Sequence, residues 1–222
     1  MWMLLILLAN PPVDHPCPVQ TTEVAAARLQ AMAGKPDFTA RFAVEGDAAA
    51  AGAIIARRIQ DAGGRVDDVT VAGGGVVVKG YLPDPGATLA ALTVPGRLSI
   101  HPVDEAKSTP ENAVPTQPAG IQAEDFEACK ATLAEDEGPQ QSITLTLTPK
   151  GGERFGELSA AHLEKRLAMV LDGKVLMAPV VREKITGGVV MITGQDIEAR
   201  PLIFQAILRS GPLPVVKLAE LK

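Results

Sequence analysis

An α+β fold of two small units is what three observations predict for these 222 residues. Short runs rich in Val, Ile and Thr alternate with helix-spaced segments, Gly- and Pro-rich turns separate them, and residues 102–122 lose periodicity altogether. Each unit is expected to be a small α/β sandwich, an antiparallel sheet with helices on one face. The predicted divisions are an apolar N-terminal segment at 1–18, a first unit at 19–101, a Pro-rich linker at 102–122 and a second unit at 123–222.

Residues 1–9, MWMLLILLA, are nine apolar residues where about 20 are needed to cross a bilayer. They read either as the centre of a short secretory signal that lacks a basic leading region, or as a buried N-terminal strand or helix. Cys17 follows Asp14, His15 and Pro16, which do not make a lipobox.

In the first unit a Thr-capped helix is predicted over 21–33 and a strand over 38–44, where Phe38, Ala40, Phe42 and Val44 alternate. Residues 47–62 place Ile54, Ile55 and Ile59 on one helical stripe that ends at Gly63-Gly64. The Val-rich runs 66–71 and 76–81 form a hairpin through Gly73-Gly74-Gly75. After the turn at 83–86, a short helix over 87–92 and a strand over 97–101 close the unit.

In the linker, Pro110, Pro115 and Pro118 forbid helix and favour extended backbone. The second unit is expected to open with a helix over 123–133 and an acidic turn at 135–138. A strand over 143–148 and a helix over 152–163 follow. Strands over 167–171 and 175–181 turn at Asp172-Gly173-Lys174. A strand over 189–193 precedes a last helix over 197–210, with Pro201 in its first turn and Gly211 ending it.

Composition narrows the chemistry. Aromatics are 3% of the chain, with one Trp and one Tyr, and the net charge is −5. From residue 101 to 142 two basic residues face nine acidic ones, so no clustered Lys and Arg offer a phosphate-binding surface and nucleic acid is not an expected partner. His15, His101 and His162 are scattered without metal-ligand spacing. The triple glycine lies between two strands and lacks a following Lys-Ser/Thr. Ser99, Ser108, Ser142, Ser159 and Ser210 sit in no nucleophile elbow. Glu124-Asp125 and Glu135-Asp136-Glu137 read as a solvated acidic face without the spaced oxygens of a calcium loop. Cys17 and Cys129 are open to two readings, one long-range disulfide or two unpaired thiols. No catalytic, cofactor-binding or metal-binding residue is assigned, no cofactor is expected, and the chain is read as non-enzymatic.

Six short motifs then occur in order: Lys150-Gly-Gly-Glu-Arg-Phe155, Arg166-Leu-Ala-Met-Val-Leu-Asp-Gly173, Ala178-Pro179-Val180-Val181, Ile185-Thr-Gly-Gly188, Ile192-Thr193-Gly194 and Leu208-Arg-Ser-Gly-Pro-Leu-Pro214. Together they resemble the first periplasmic domain of SecD, the accessory subunit of the bacterial protein-export translocase. Ile55-Ala-Arg-Arg-Ile59 and the hairpin after it resemble the base part of that domain, so the resemblance covers most of residues 45–217. It implies a base and a head, the head contacting emerging polypeptide, and a short acidic stretch at 130–141 where a larger head insertion is common. No long apolar run is present, so the proton-coupled membrane part of the family is not expected in this sequence.

On this reading the chain is a soluble, periplasmic or secreted, SecD-like protein without a membrane-spanning segment. It binds exported or unfolded polypeptide, or another envelope protein, in association with the export machinery. The means would be an exposed sheet edge, with Pro179 marking a candidate because it cannot donate to a ladder, or a groove between the units. The alternative is a structural or regulatory envelope module that binds one folded partner and has no export role.

Overall fold

The computed structural model describes residues 38–127, 130–134 and 141–222. The predicted N-terminal segment, the helix over 21–33, the acidic run at 135–137, Cys17 and Cys129 lie outside the described residues. The elements begin with β1 (Phe38–Glu45), α1 (Ala48–Asp61), β2 (Arg65–Ala72), β3 (Gly75–Tyr81), α2 (Pro85–Leu92) and β4 (Leu98–Pro102). A 3-10 turn at Ala123–Asp125, β5 (Thr132–Ala134), β6 (Ser142–Thr146), α3 (Pro149–Ala161), β7 (Leu167–Leu171) and β8 (Lys174–Met177) follow. The chain ends with β9 (Val189–Ile192), α4 (Gln195–Ala199), α5 (Pro201–Ser210) and β10 (Val215–Leu221). Every ladder is antiparallel and the class is α+β. No helix among the described residues is long and apolar enough to cross a membrane.

The chain divides into two compact units, and the division corrects the predicted boundaries. Met1–Thr93 and Pro214–Lys222 make the first, and Val94–Leu213 the second. The first carries one sheet in the order β10-β1-β3-β2. Phe38, Ala40 and Phe42 from β1 and Val76 and Val78 from β3 point to its buried face, against Ala51, Ile55 and Ile59 of α1 and Leu89 and Leu92 of α2. Asp47 starts α1 by accepting from the amides of Ala49 and Ala50 at 2.9 and 3.0 Å. Arg58 lies on the buried side of α1 and donates to the Leu92 carbonyl at 2.7 Å, closing an orphan acceptor at the end of α2.

The second unit holds two three-stranded sheets, β4-β7-β8 and β5-β6-β9. Their inner faces share one core, in which Ile100, Ile143, Leu145, Phe155, Leu167, Ile192 and Ile197 are buried. β7 is buried at every position, as a central strand covered on both faces should be. Its hairpin to β8 turns through Asp172 and Gly173, both at positive φ (49° and 84°), and the Asp172 carboxylate accepts from the amides of Gly96 and Arg97 at 2.8 Å each.

Four elements differ from expectation. The strand over 97–101 does not close the first unit: β4 pairs with β7 from Leu98↔Leu171 to Pro102↔Leu167. Residues 102–122 are not a free linker, because Ile100 bridges Ile121, Val103 bridges Pro115, and Arg166 clamps Glu105 and the Thr109 carbonyl. Prolines excluded helix there, as predicted, but extended backbone can fold back onto a sheet. The helix over 123–133 is a 3-10 turn and then β5, because the Asp125 carboxylate bonds back to the Gln122 amide and Phe126 bridges Leu147. The last helix is two helices: Arg200 has φ −146° and ψ 60°, since a residue before proline is pushed out of the helical region, and Pro201 opens α5.

Candidate functional site

The motif Lys150-Gly-Gly-Glu-Arg-Phe155 builds the start of α3. Thr148 caps it, its Oγ1 accepting from the Gly151 amide at 3.0 Å, and Pro149 occupies the first turn. Gly151 is required by close approach, because a Cβ there would overlap the Asp125 carbonyl. Arg154 donates to Asp125 Oδ1 at 2.8 Å, and Asp125 is 4% exposed. Asp125 is therefore an internal tie and not part of a solvated acidic face. Phe155 fills the core. Another of the motifs, Ile185-Thr-Gly-Gly188, lies along the same helix: the Ile185 amide donates to Ser159 Oγ at 3.0 Å, and Ser159 donates to the Gly156 carbonyl at 3.1 Å.

Immediately after that loop comes β9, an outer strand of its sheet. The Leu147 amide donates to the Gly188 carbonyl at 2.7 Å, and the register continues without a bulge through Leu145↔Val190 to Ile143↔Ile192. Hydrogen-bonded pairs thus fall on Gly188, Val190 and Ile192, and the N–H and C=O of Val189 and Met191 point away from β6 to the open edge. The side chains of Val189 and Met191 stand on the outer face beside Thr146 and Thr144, 47% and 51% exposed.

Other edges among the described residues are blunted. β2 carries Asp67, Asp68 and a bulge. β10 carries Lys217, Glu220 and a bulge in its ladder. β4 is covered where Ile100 and Pro102 bond to residues 116–121. β5 is three residues long. β8 begins with Lys174, which pairs with Asp196, has a bulge opposite it and leads to Pro179. Pro179 accepts from the Leu167 amide at 3.0 Å and Val180 bridges Arg166, so Pro179 extends an edge already guarded by charge and proline. β9, four apolar residues long, has no charge, no proline and no bulge.

The edge adjoins a groove of about 520 Å³ between the first turns of α3 and residues 184–188, floored by Thr146 and Thr148. Glu127, Glu153 and Glu157 line it against one ammonium, Lys184. Glu127 pairs with Lys130 at 3.8 Å, whereas Glu153 and Glu157 have no ion pair among the described residues.

The histidines and several of the serines singled out in the sequence that lie among the described residues are structural ties. His101 is buried with Nδ1 2.8 Å from the Thr116 carbonyl, to which it must donate, and Nε2 2.8 Å from Ser99 Oγ. His162 Nδ1 donates to the Leu158 carbonyl at 2.8 Å. Ser108 Oγ donates to the Asp104 carbonyl and accepts from Val114, and Ser210 Oγ donates to the Ile207 carbonyl. Ser142 is buried at the start of β6. Gly73 and Gly74 make the β2–β3 turn at positive φ. No group of three His, Cys, Asp or Glu gathers at metal-binding distance among the described residues. Glu105, hydrogen-bonded to Arg166, is held below the ordinary carboxylate value. The edge at β9 was missed in the sequence, although the polar-free run Val189-Val-Met-Ile192 is its signal.

These features define an α+β protein of two units, the second of which presents an unguarded strand beside an acidic groove. A family model described as SecDF, P1 head subdomain, matches residues 101–215, and the chain belongs to that family. Protein translocase subunit SecDF of Thermus thermophilus is 35% identical over 142 residues, 62% of this chain and 19% of that protein. Protein translocase subunit SecD of Magnetococcus marinus is 42% identical over 80 residues, 35% of this chain and 15% of that protein. The chain therefore spans less than a quarter of the length of these relatives. In fold, the crystal structure of SecDF in its super-membrane-facing form aligns with a TM-score of 0.68 at 21% identity, covering 90% of this chain and 33% of that one. A second structure, of a membrane component SecDF that enhances protein export, aligns with a TM-score of 0.62 at 24% identity, covering 82% of this chain and 98% of that one.

Proposed function

We propose that this chain serves protein export from the periplasmic side, holding extended, unfolded polypeptide by main-chain pairing along β9. The observation that carries this reading is the bare edge. Two outward N–H and two outward C=O groups, on Val189 and Met191, lie beside two exposed apolar side chains, with no charge or proline to repel a further strand. The names of the relatives as translocase subunits support the export role. Four main-chain hydrogen bonds at a net of about 1 kcal/mol each, with modest apolar burial, are set against the cost of ordering a flexible segment, which leaves only a small net affinity. Such binding is weak and tolerant of sequence, which suits a chain in transit. The reading assigns no catalytic step.

Titration of a fluorescent, permanently unfolded chain, followed by anisotropy, tests it. Saturable binding above that of an unrelated globular control is expected. Binding to a single folded envelope protein, with indifference to unfolded chains, would overturn it in favour of a structural or regulatory module. Cell fractionation checks the compartment, with recovery in the periplasm expected.

A further inference from the structure

Resting on the polypeptide-binding reading, we infer that the β9 edge and its groove together select extended segments in which apolar residues are followed by a basic one, and disfavour segments carrying acid there. Gly187 and Gly188 line the groove and directly precede Val189, so a strand paired with β9 that continues past Val189 passes the rim of the groove, whose floor lies on the β6 side, within reach of long side chains. Its side chains on the outer face lie beside Val189 and Met191 first and meet carboxylates next.

The charge balance of the groove has one sign. Glu153 and Glu157 stand one turn apart on the same face of α3, both exposed and without ion pairs among the described residues, and Glu127 faces them across Thr146 and Thr148. Glu127 has Lys130 at 3.8 Å, and Lys184, its Cε 3.6 Å from where a Cβ on Gly156 would stand, is the cation that lines the groove with Glu153 and Glu157. The start of α3 does not reverse this sign for an incoming anion, because the Gly151 and Gly152 amides are already bonded to Thr148 at 3.0 and 2.8 Å. An arriving ammonium or guanidinium finds unpaired carboxylates; an arriving carboxylate meets like charge.

The test uses three peptides with one apolar core, flanked on both sides by Lys, by Ser or by Glu, titrated against the whole chain and its Glu153→Gln/Glu157→Gln variant. In 50 mM salt the Lys peptide is expected to bind about two- to fivefold tighter than the Ser peptide, and the Glu peptide more weakly by a similar factor, as about one exposed ion pair provides. In 500 mM salt the three should converge. The double variant should level the series, with circular dichroism confirming the fold. Equal binding of all three peptides, or a series the double variant does not level, overturns the charge selection while polypeptide binding stands. Failure of the Ser peptide to bind the unaltered chain overturns both.

Discussion

β2 and β9 are both outer strands of antiparallel sheets, yet they present opposite faces to another chain. β2 carries Asp67 and Asp68, tied to Arg65 at 2.8 Å and Thr70 at 3.0 Å, and a bulge that breaks its register between Val66 and Asp68. β9 is Val-Val-Met-Ile in unbroken register. An edge blunted by charge and bulge resists pairing, and an apolar edge without either invites it. Within one chain, the difference separates a strand that ends its sheet from one that leaves room for a further strand.

The largest expected effect tests the support of the bare edge. Gly151→Ala forces a Cβ against the Asp125 carbonyl, and denaturant unfolding should register a loss of about 1–3 kcal/mol confined to the second unit. Next, Met191→Pro removes an outward amide and leaves the pairing with β6 intact. Anisotropy should register at least a tenfold loss of affinity for unfolded chains, about 1.4 kcal/mol, with little change in stability. In the opposite direction, Asp67→Val/Asp68→Val removes the charge from β2, and sedimentation velocity should reveal more self-association than in the parent chain.

The smallest effect is a control far from either edge. The hydrogen bond from Arg166, reinforced by the attraction of its charge, depresses the Glu105 value in the folded state below the ordinary 4.5. The stabilisation from Glu105 is therefore fully present above that pH and is lost as pH falls through the lowered folded value. Glu105→Gln should be less stable than the parent near pH 7 and level with it once the pH passes below that value, as followed by thermal unfolding.

Local signals were legible where one residue type determines one geometry. The helix within 47–62, the alternation through Phe38 and Phe42, and Asp172-Gly173 as a turn appear as read. What escaped the sequence depends on distant partners. Nothing in Leu98-Ser-Ile-His101 says that it pairs with β7 rather than β3, and nothing local says that proline-rich residues 102–122 lie against a sheet. Asp125 looks like any surface acid until Arg154 arrives from 29 residues away. Pro179 drew attention because a proline is visible in a sequence. The bare edge at Val189 and Met191 needed the sheet order to be seen.

β10 carries a consequence in time. It pairs with β1, Ala40 opposite Leu221 and Val44 opposite Val216, so strands separated by roughly 180 residues complete one sheet. During synthesis at roughly 5–20 residues per second, the first unit, made as far as Thr93, waits roughly 6–25 seconds for β10. The whole of the second unit is made in that interval. Until β10 arrives, β1 is itself an outer strand, and a chain without residues 215–221 would leave the first unit with the exposure that the folded chain keeps at β9.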